Sequence, residues 1–298
     1  MLLSPGAQGL PFLMGDMFGQ ESLLARAVRG LCQTKPPEIR ATPWSGEPPP
    51  ACLLVLQDEG GAGDALCLVR YLPLLDRAGY RTVFRCRSTE GLGRLLRSSF
   101  KDFDWPFTGP RYSLSMMLLP AVFGGQTVPR KARQAIHKPQ LWHKPYVPSA
   151  PYLHAEPGRI QYYRKRVPAN AVGICWASGR SWPRMQPIKS MTLRDMEPIW
   201  SRYPCVSLQV GQDRAQLAGT PVLDVLPAKP DWAESAALVG ALRCIVSVDT
   251  GVAHLAGGLG ADVHLALHMD PTPYWKVGSA DSPWYPRTLV YQGKHWAL

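Results

Sequence analysis

The sequence predicts an α/β protein built on two parallel sheets. Short apolar runs alternate with helical patterns in two separate stretches of the chain, the arrangement that parallel sheets require. In each stretch, one strand passes into a helix through a turn rich in Gly, Asp or Thr. Between them, residues 129–168 are rich in Pro, aromatic and basic residues, as befits a segment joining two domains.

Residues 1–50 hold few strand signals, many Gly and Pro, and one helical stretch at 21–31; residues 1–43 are predicted as an extension. Leu53-Leu54-Val55-Leu56 suits a buried strand. It leads into Glu59-Gly60-Gly61-Ala62-Gly63-Asp64 and a helical pattern over 65–78 that stops at Gly79. Thr82-Val83-Phe84 is the next strand and 92–96 the next helix. The alternation restarts with a strand at Val172-Gly173-Ile174-Cys175-Trp176 and a helix from Thr192, with Asp195 three residues on. Val206-Ser207-Leu208-Gln209 is a further strand, and Asp231 caps a helix through Leu242 with Glu234 in the capping-box position. A strand over 244–248, a helix over 250–259 closed by Gly260, and a strand over 263–267 complete the pattern. The predicted domains are 44–155 and 171–298, joined by a linker at 156–170.

A chain of 298 residues, 46% hydrophobic and 18% charged, has enough apolar content for a soluble globular protein and too much for global disorder. No apolar run approaches the ~20 residues of a membrane helix, and Met-Leu-Leu-Ser-Pro at the start is unlike a signal peptide. Seven cysteines with no C-x-x-C pair argue against a disulfide framework or zinc ribbon, and a reducing cytoplasm is expected. The net charge of +11, from 33 Lys and Arg against 22 Asp and Glu, favours anionic partners: nucleotides, nucleic acid or an acidic membrane surface.

The strongest local signal is Ser247-Val248-Asp249-Thr250-Gly251-Val252-Ala253-His254. A strand there delivers an acid and a hydroxyl to its C-terminal edge, where open parallel sheets bind ligands. The helix that follows offers N–H groups suited to a pyrophosphate, with His254 in its first turn. The plainer alternative is an Asp/Thr helix cap with an incidental histidine. The second signal is Gly61-Ala62-Gly63-Asp64, where glycines permit a tight turn and close approach. Asp64 is there either a general base or a helix cap. No Gly-Lys-Ser/Thr follows, so this is no Walker loop. Asp102-Phe103-Asp104 has the D-x-D form of metal-dependent sugar transferases but is too short to inform. His264 and His268 lie four apart on a strand and its end, so helical metal-ligand spacing does not apply. Tyr162-Tyr163-Arg164-Lys165-Arg166 could grip nucleic acid by charge and stacking, or be a solvated linker.

From Trp44 to Trp296 the chain resembles the glycosyltransferase module that often follows tetratricopeptide repeats in bacteria, a relative of the lipopolysaccharide heptosyltransferases. Three blocks carry the resemblance: residues 59–64 with Arg70-Tyr71-Leu72-Pro73-Leu74-Leu75, residues 246–260, and Asp281-Ser282-Pro283-Trp284-Tyr285-Pro286. Gly60 replaces the family's usual glutamine, 271–278 lacks its D-W-R-W, and a short extension stands where repeats are usual. The resemblance implies a bacterial or phage protein with the GT-B architecture, two Rossmann-like domains facing across a cleft. The N-terminal domain would hold the acceptor and the C-terminal domain a nucleoside diphosphate sugar. Asp64 would be the base, with Gly61 and Gly63 in the turn near the acceptor. Asp249, Thr250, Gly251 and His254 would hold the donor diphosphate, Lys189 would touch phosphate, and Gln209 would lie near the nucleoside.

The expected function is inverting, metal-independent sugar transfer, with the donor as co-substrate and no cofactor. Negative charge developing on the leaving phosphate would be met by N–H groups, Lys189 and His254. One carboxylate would take the acceptor proton. The acceptor stays open among a glycolipid, a protein and a modified nucleic acid, and peripheral membrane contact is compatible with the charge. Alternatives are a catalytically idle nucleotide-sugar or nucleic-acid-binding protein and a nucleotide-sugar epimerase.

Overall fold

The computed structural model describes residues 42–43, 52–57, 61–86, 91–99, 111–123, 147–179, 186–267, 275, 282 and 284–292. The stretch at 21–31, Asp102-Phe103-Asp104, His268 and most of 271–278 lie outside the described residues. Contacts divide the chain into two compact units, one of residues 1–60, 68–89 and 102–148, the other of 61–67, 90–101 and 149–298.

The first unit carries a four-stranded parallel sheet in the order β1-β4-β2-β3, from β1 (Thr42–Pro43), β2 (Cys52–Gln57), β3 (Arg81–Cys86) and β4 (Arg111–Ser115). Between β2 and β3 run α1 (Ala62–Leu68), a 3-10 turn (Val69–Tyr71) and α2 (Leu72–Arg77). One unbroken helix was expected there. Pro73 lacks the N–H that would bond back one turn, so the helix tightens just before it. Gly79, at φ +91°, ends α2 as predicted, with its N–H on Asp76 and that of Tyr80 on Leu75. Leu68, Val69, Tyr71 and Leu75 are fully buried, and buried Arg70 donates to the Pro148 carbonyl. Helices α3 (Leu92–Ser99) and α4 (Leu119–Phe123) flank β4 in sequence.

The second unit is built on a five-stranded parallel sheet in the order β6-β5-β7-β8-β9. Its strands are β5 (Val172–Cys175), β6 (Cys205–Ser207), β7 (Cys244–Val248), β8 (Val263–Leu267) and β9 (Thr288–Gln292). Every residue of β5 and β6 is buried, as in a parallel sheet covered on both faces. From β5 the chain steps to β6 on one side, then returns to β7 on the other. The reversal lies between β5 and β7, whose registers pair Cys175 with Ser247. Ligands of open parallel sheets bind outside the C-terminal strand ends at such a reversal.

Within residues 156–170, Pro157–Arg164 form α5, which packs in this unit against α8 (Trp232–Val239). The buried Tyr163 hydroxyl donates to Glu234 Oε2 at 2.6 Å, and Arg159 and Arg94 hold the same carboxylate. Between α5 and α8 lie α6 (Gln186–Lys189) and α7 (Glu197–Trp200); after β7 comes α9 (Gly251–Gly258).

Candidate functional site

The site lies at the C-terminal end of β7. Thr250 has extended backbone angles, caps α9, and accepts from the Ala253 N–H. A 2.9 Å contact joins its hydroxyl to that of Ser247 on the strand. The strand-to-helix turn is therefore set locally by Ser and Thr side chains. Gly251 opens the helix beneath the Trp232 ring, where a Cβ would come within 2.7 Å of the indole.

Asp249 is 6% exposed and both its oxygens have partners. Lys189 Nζ lies 2.8 Å from Oδ2, Trp275 Nε1 donates to Oδ1 at 2.9 Å, and His254 Nε2 lies 4.0 Å from Oδ1. Burial by itself pushes the Asp249 carboxyl up. The Lys189 ammonium, the His254 ring and the hydrogen bonds from Lys189 and Trp275 outweigh it and hold the group below the ordinary carboxylate range. Lys189 is the last residue of α6, and the loop that follows is tied to the end of β5: the Met191 N–H bonds the Trp176 carbonyl, and the Ser178 N–H bonds Ser190 Oγ.

His254 sits in the first turn of α9, as predicted, and is 3% exposed. Its ring stacks on Trp275 with centroids 5.0 Å apart, and its Nδ1 lies 2.9 Å from the Tyr285 hydroxyl. Gly63, in α1, abuts the same ring. A Cβ there would stand 2.7 Å from His254 Cδ2, so only glycine fits without displacement. The glycine turn and the Asp-Thr-Gly turn thus meet at one imidazole, although almost 190 residues separate them.

The other predicted residues have visible structural tasks. Asp64 Oδ2 accepts from the Gly61 N–H at 2.6 Å, the reach of a third helical residue back over its own N-terminus. Gln209 is buried, and its Oε1 accepts from the Trp176 and Ala177 N–H groups. Its Nε2 donates to the Ala177 and Val210 carbonyls, so the amide joins the ends of β5 and β6. Asp64, Gly63, Asp249, Thr250, Gly251, His254 and Lys189 all belong to the second unit.

Two members escaped the sequence reading. Tyr285 stands in the third block of the resemblance, where its neighbours Trp284 and Pro286 give no hint of a histidine partner. Trp275 stands in the divergent 271–278 segment, and its indole N–H could not be matched to Asp249 by spacing. His264, by contrast, faces the Tyr291 hydroxyl at 3.0 Å on the adjacent strand. Among the described residues, no group of three or more His, Cys, Asp or Glu side chains converges as metal ligands. No described helix is long and apolar enough to cross a membrane.

No family model matches the chain, and no curated protein matches it. Among solved structures, the family 9 glycosyltransferase from Veillonella parvula is similar at 13% identity and TM-score 0.51, over 81% of this chain and 86% of that one. Two E. coli proteins are similar at lower scores. ADP-heptose lipopolysaccharide heptosyltransferase II has 12% identity and TM-score 0.49, over 81% and 89% of the two chains. Heptosyltransferase WaaC with ADP has 13% identity and TM-score 0.47, over 81% and 93%. The α/β fold of this chain, with its five-stranded parallel sheet, is thus the fold of the Veillonella glycosyltransferase.

Proposed function

We propose that the chain is an inverting, metal-independent glycosyltransferase of GT-B architecture that uses a nucleoside diphosphate sugar. The observation that carries this reading is the convergence of Lys189, Thr250, Gly251 and His254 at the sheet's reversal point, beside the N-terminus of α9. A helix end, an ammonium and an imidazole are the groups that stabilise a leaving diphosphate. Asp249 is itself an anion and would repel a phosphate. In this reading it is the counter-ion that holds Lys189 and Trp275 in place. Asp64 is the base; the residue before it, Gly63, abuts the His254 ring. Residues 44–155 would form the acceptor domain and 171–298 the donor domain, in a cytoplasmic protein. The donors of the E. coli heptosyltransferases make ADP sugars the first to try.

The test is a thermal-shift screen of ADP, GDP, UDP, CDP and their sugars, because binding to the folded state raises its stability by mass action. The donor so found is then offered glycolipid, protein and nucleic-acid acceptors, with and without excess EDTA, and the anomeric configuration of the product is read by NMR. Inverted product formed in EDTA supports the proposal. Retained configuration, or loss of transfer that manganese restores, refutes it. The engagement of Asp64 with its own helix start favours one second reading, a nucleotide-sugar-binding protein without catalysis. Donor binding with no transfer or hydrolysis to any acceptor would select it.

A further inference from the structure

The Tyr285 hydroxyl has no task in the reading above, yet it is placed with care. Tyr285 is 1% exposed, and its ring stands at 61° to the His254 ring with centroids 5.7 Å apart. It presses on Gly257, one turn after His254 on the same face of α9, where a Cβ would come 2.5 Å from the Tyr285 ring. The bare backbone at Gly257 is what lets the phenol reach His254 Nδ1 at 2.9 Å. Trp275 stacks on the imidazole, and Gly63 meets its edge. The ring is therefore enclosed by two aromatic side chains and a glycine backbone, with little freedom to turn.

The direction of the Tyr285–His254 hydrogen bond follows from the charges around it. His254 Nε2 lies 4.0 Å from Asp249 Oδ1, an oxygen of a buried carboxylate. A lone pair on Nε2 would face that anion, whereas an N–H presents its positive end. In its neutral form the ring thus carries its proton on Nε2, which leaves Nδ1 as the acceptor and the phenol O–H as the donor. We propose that Tyr285 is a positioning residue: its hydroxyl donates to His254 Nδ1, fixes the Nε2–H tautomer, and keeps that N–H aimed at the C-terminal edge of β7, where the leaving diphosphate would sit. The last clause rests on the reading of the site as a donor cradle; the tautomer does not.

Two measurements separate those parts. In protein labelled with 15N-histidine, long-range 1H–15N spectra report the tautomer, and the His254→Gln variant identifies the resonance among the seven histidines. The expected result is Nε2–H in the wild type and a mixture of tautomers in Tyr285→Phe, which keeps the ring but not the hydroxyl. An Nδ1–H wild type, or an unaltered Nε2–H form in Tyr285→Phe, overturns the proposal. Calorimetry with ADP, GDP, UDP and CDP then compares the wild type, His254→Ala and Tyr285→Phe, each checked for folding by thermal unfolding. The best-bound diphosphate is expected to lose about tenfold in affinity in Tyr285→Phe, the lower end of what losing a partner behind a ligand histidine typically does. Unchanged affinity in His254→Ala refutes the donor cradle alone. Loss in His254→Ala with none in folded Tyr285→Phe refutes the positioning role alone. Should Tyr285→Phe fail to fold, Gly257→Ala takes its place: it retains the hydroxyl but displaces the ring, and a wild-type tautomer and affinity there overturn the proposal.

Discussion

Gly63→Ala adds one methyl group at the point where the two glycine-containing turns meet, and its effect can be worked from the structure. The new Cβ would lie 2.7 Å from His254 Cδ2, 3.3 Å from Nε2 and 3.6 Å from Gly251 Cα. Comfortable carbon contacts are about 3.5–4.0 Å, so α1 and the imidazole must part by about 1 Å. The ring cannot simply rotate away, because Trp275 stacks on it and Tyr285 holds its Nδ1. Overpacking of this kind costs about 1–3 kcal/mol. Alanine in place of glycine in a helix returns roughly 0.5–1 kcal/mol, so the net loss should be about 1 kcal/mol, within roughly 0–2.5 kcal/mol. Gly61→Ala is the internal control. Among the described residues its Cβ would meet only Asp64 Oδ2, at 3.9 Å, so its stability should change by less than about 1 kcal/mol. Urea midpoints and m-values give the stabilities, and calorimetry with the best-bound nucleoside diphosphate gives the affinities. Gly63→Ala should lower both and Gly61→Ala should leave affinity unchanged. If Gly63→Ala were as stable as the wild type and bound diphosphate equally well, α1 would not abut His254 and the site would have been assembled wrongly.

Asp64→Asn keeps an oxygen for the Gly61 N–H but removes the base, so donor affinity should hold while transfer falls about a hundredfold or more; transfer at near wild-type rate would leave Asp64 as a cap only. His254→Ala should weaken transition-state stabilisation by roughly 2–3 kcal/mol, with turnover and donor binding both reduced in steady-state kinetics, and normal transfer by the folded variant would remove the phosphate role. Lys189→Ala should also strip Asp249 of a cation 2.8 Å away, so thermal stability should fall along with donor affinity; affinity lost at unchanged stability would show that the ion pair does not anchor the site. Burial alone would raise the Glu234 carboxyl, but hydrogen bonds from Arg159, Tyr163 and Arg94 outweigh it and bring the group down to about 2. A folded value below the unfolded one of about 4.3 gives stability that is present in full above about pH 5 and is lost as pH falls toward 2. Urea midpoints at pH 7 and pH 3 should differ by less in Glu234→Gln than in the wild type, and equal acid sensitivity would count against the network.

Local patterns in the sequence are legible where the chain's own neighbours decide the outcome. Thr192 and Asp195 form the reciprocal cap their spacing suggests, with the Thr192 N–H on Asp195 Oδ2 at 2.8 Å and the Asp195 N–H on Thr192 Oγ1 at 3.2 Å. At Asp231 and Glu234 only half of that pattern is built. Asp231 accepts from the Glu234 N–H, but the Glu234 side chain leaves its helix start for Arg94, 140 positions earlier, and for Arg159 and Tyr163. Two guanidinium groups and a phenol hold a carboxylate better than one exposed N–H, and nothing within a few residues of Glu234 announces them. The helix over 157–164 was hidden for a related reason. It has no marked apolar face of its own, and it is held by Tyr163 and Arg159 reaching that same carboxylate. Strands β4 and β9 are short, lie next to segments rich in Pro, and take their places through pairing with β2 and β8.

The candidate site divides along the same physical line. Asp249, Thr250, Gly251 and His254 were legible because strand, cap and first helical turn are one continuous stretch, and the geometry of a strand-to-helix turn fixes which of them reach the strand's end. Which of these groups meet a ligand and which meet each other is decided by long-range partners. Asp249 looks like a ligand residue in sequence, but the structure gives it Lys189 from 60 positions earlier and Trp275 from 26 later. Gln209 likewise follows its strand where a nucleoside could lie, yet its amide is filled by backbone groups just past the ends of β5 and β6. A buried acid must be paired and a buried amide must be satisfied before either can serve a ligand. In this chain the groups left to act on a substrate are therefore better sought among the partners of Asp249 than in Asp249 itself: Lys189, which it orients, and His254, whose proton its charge directs to Nε2.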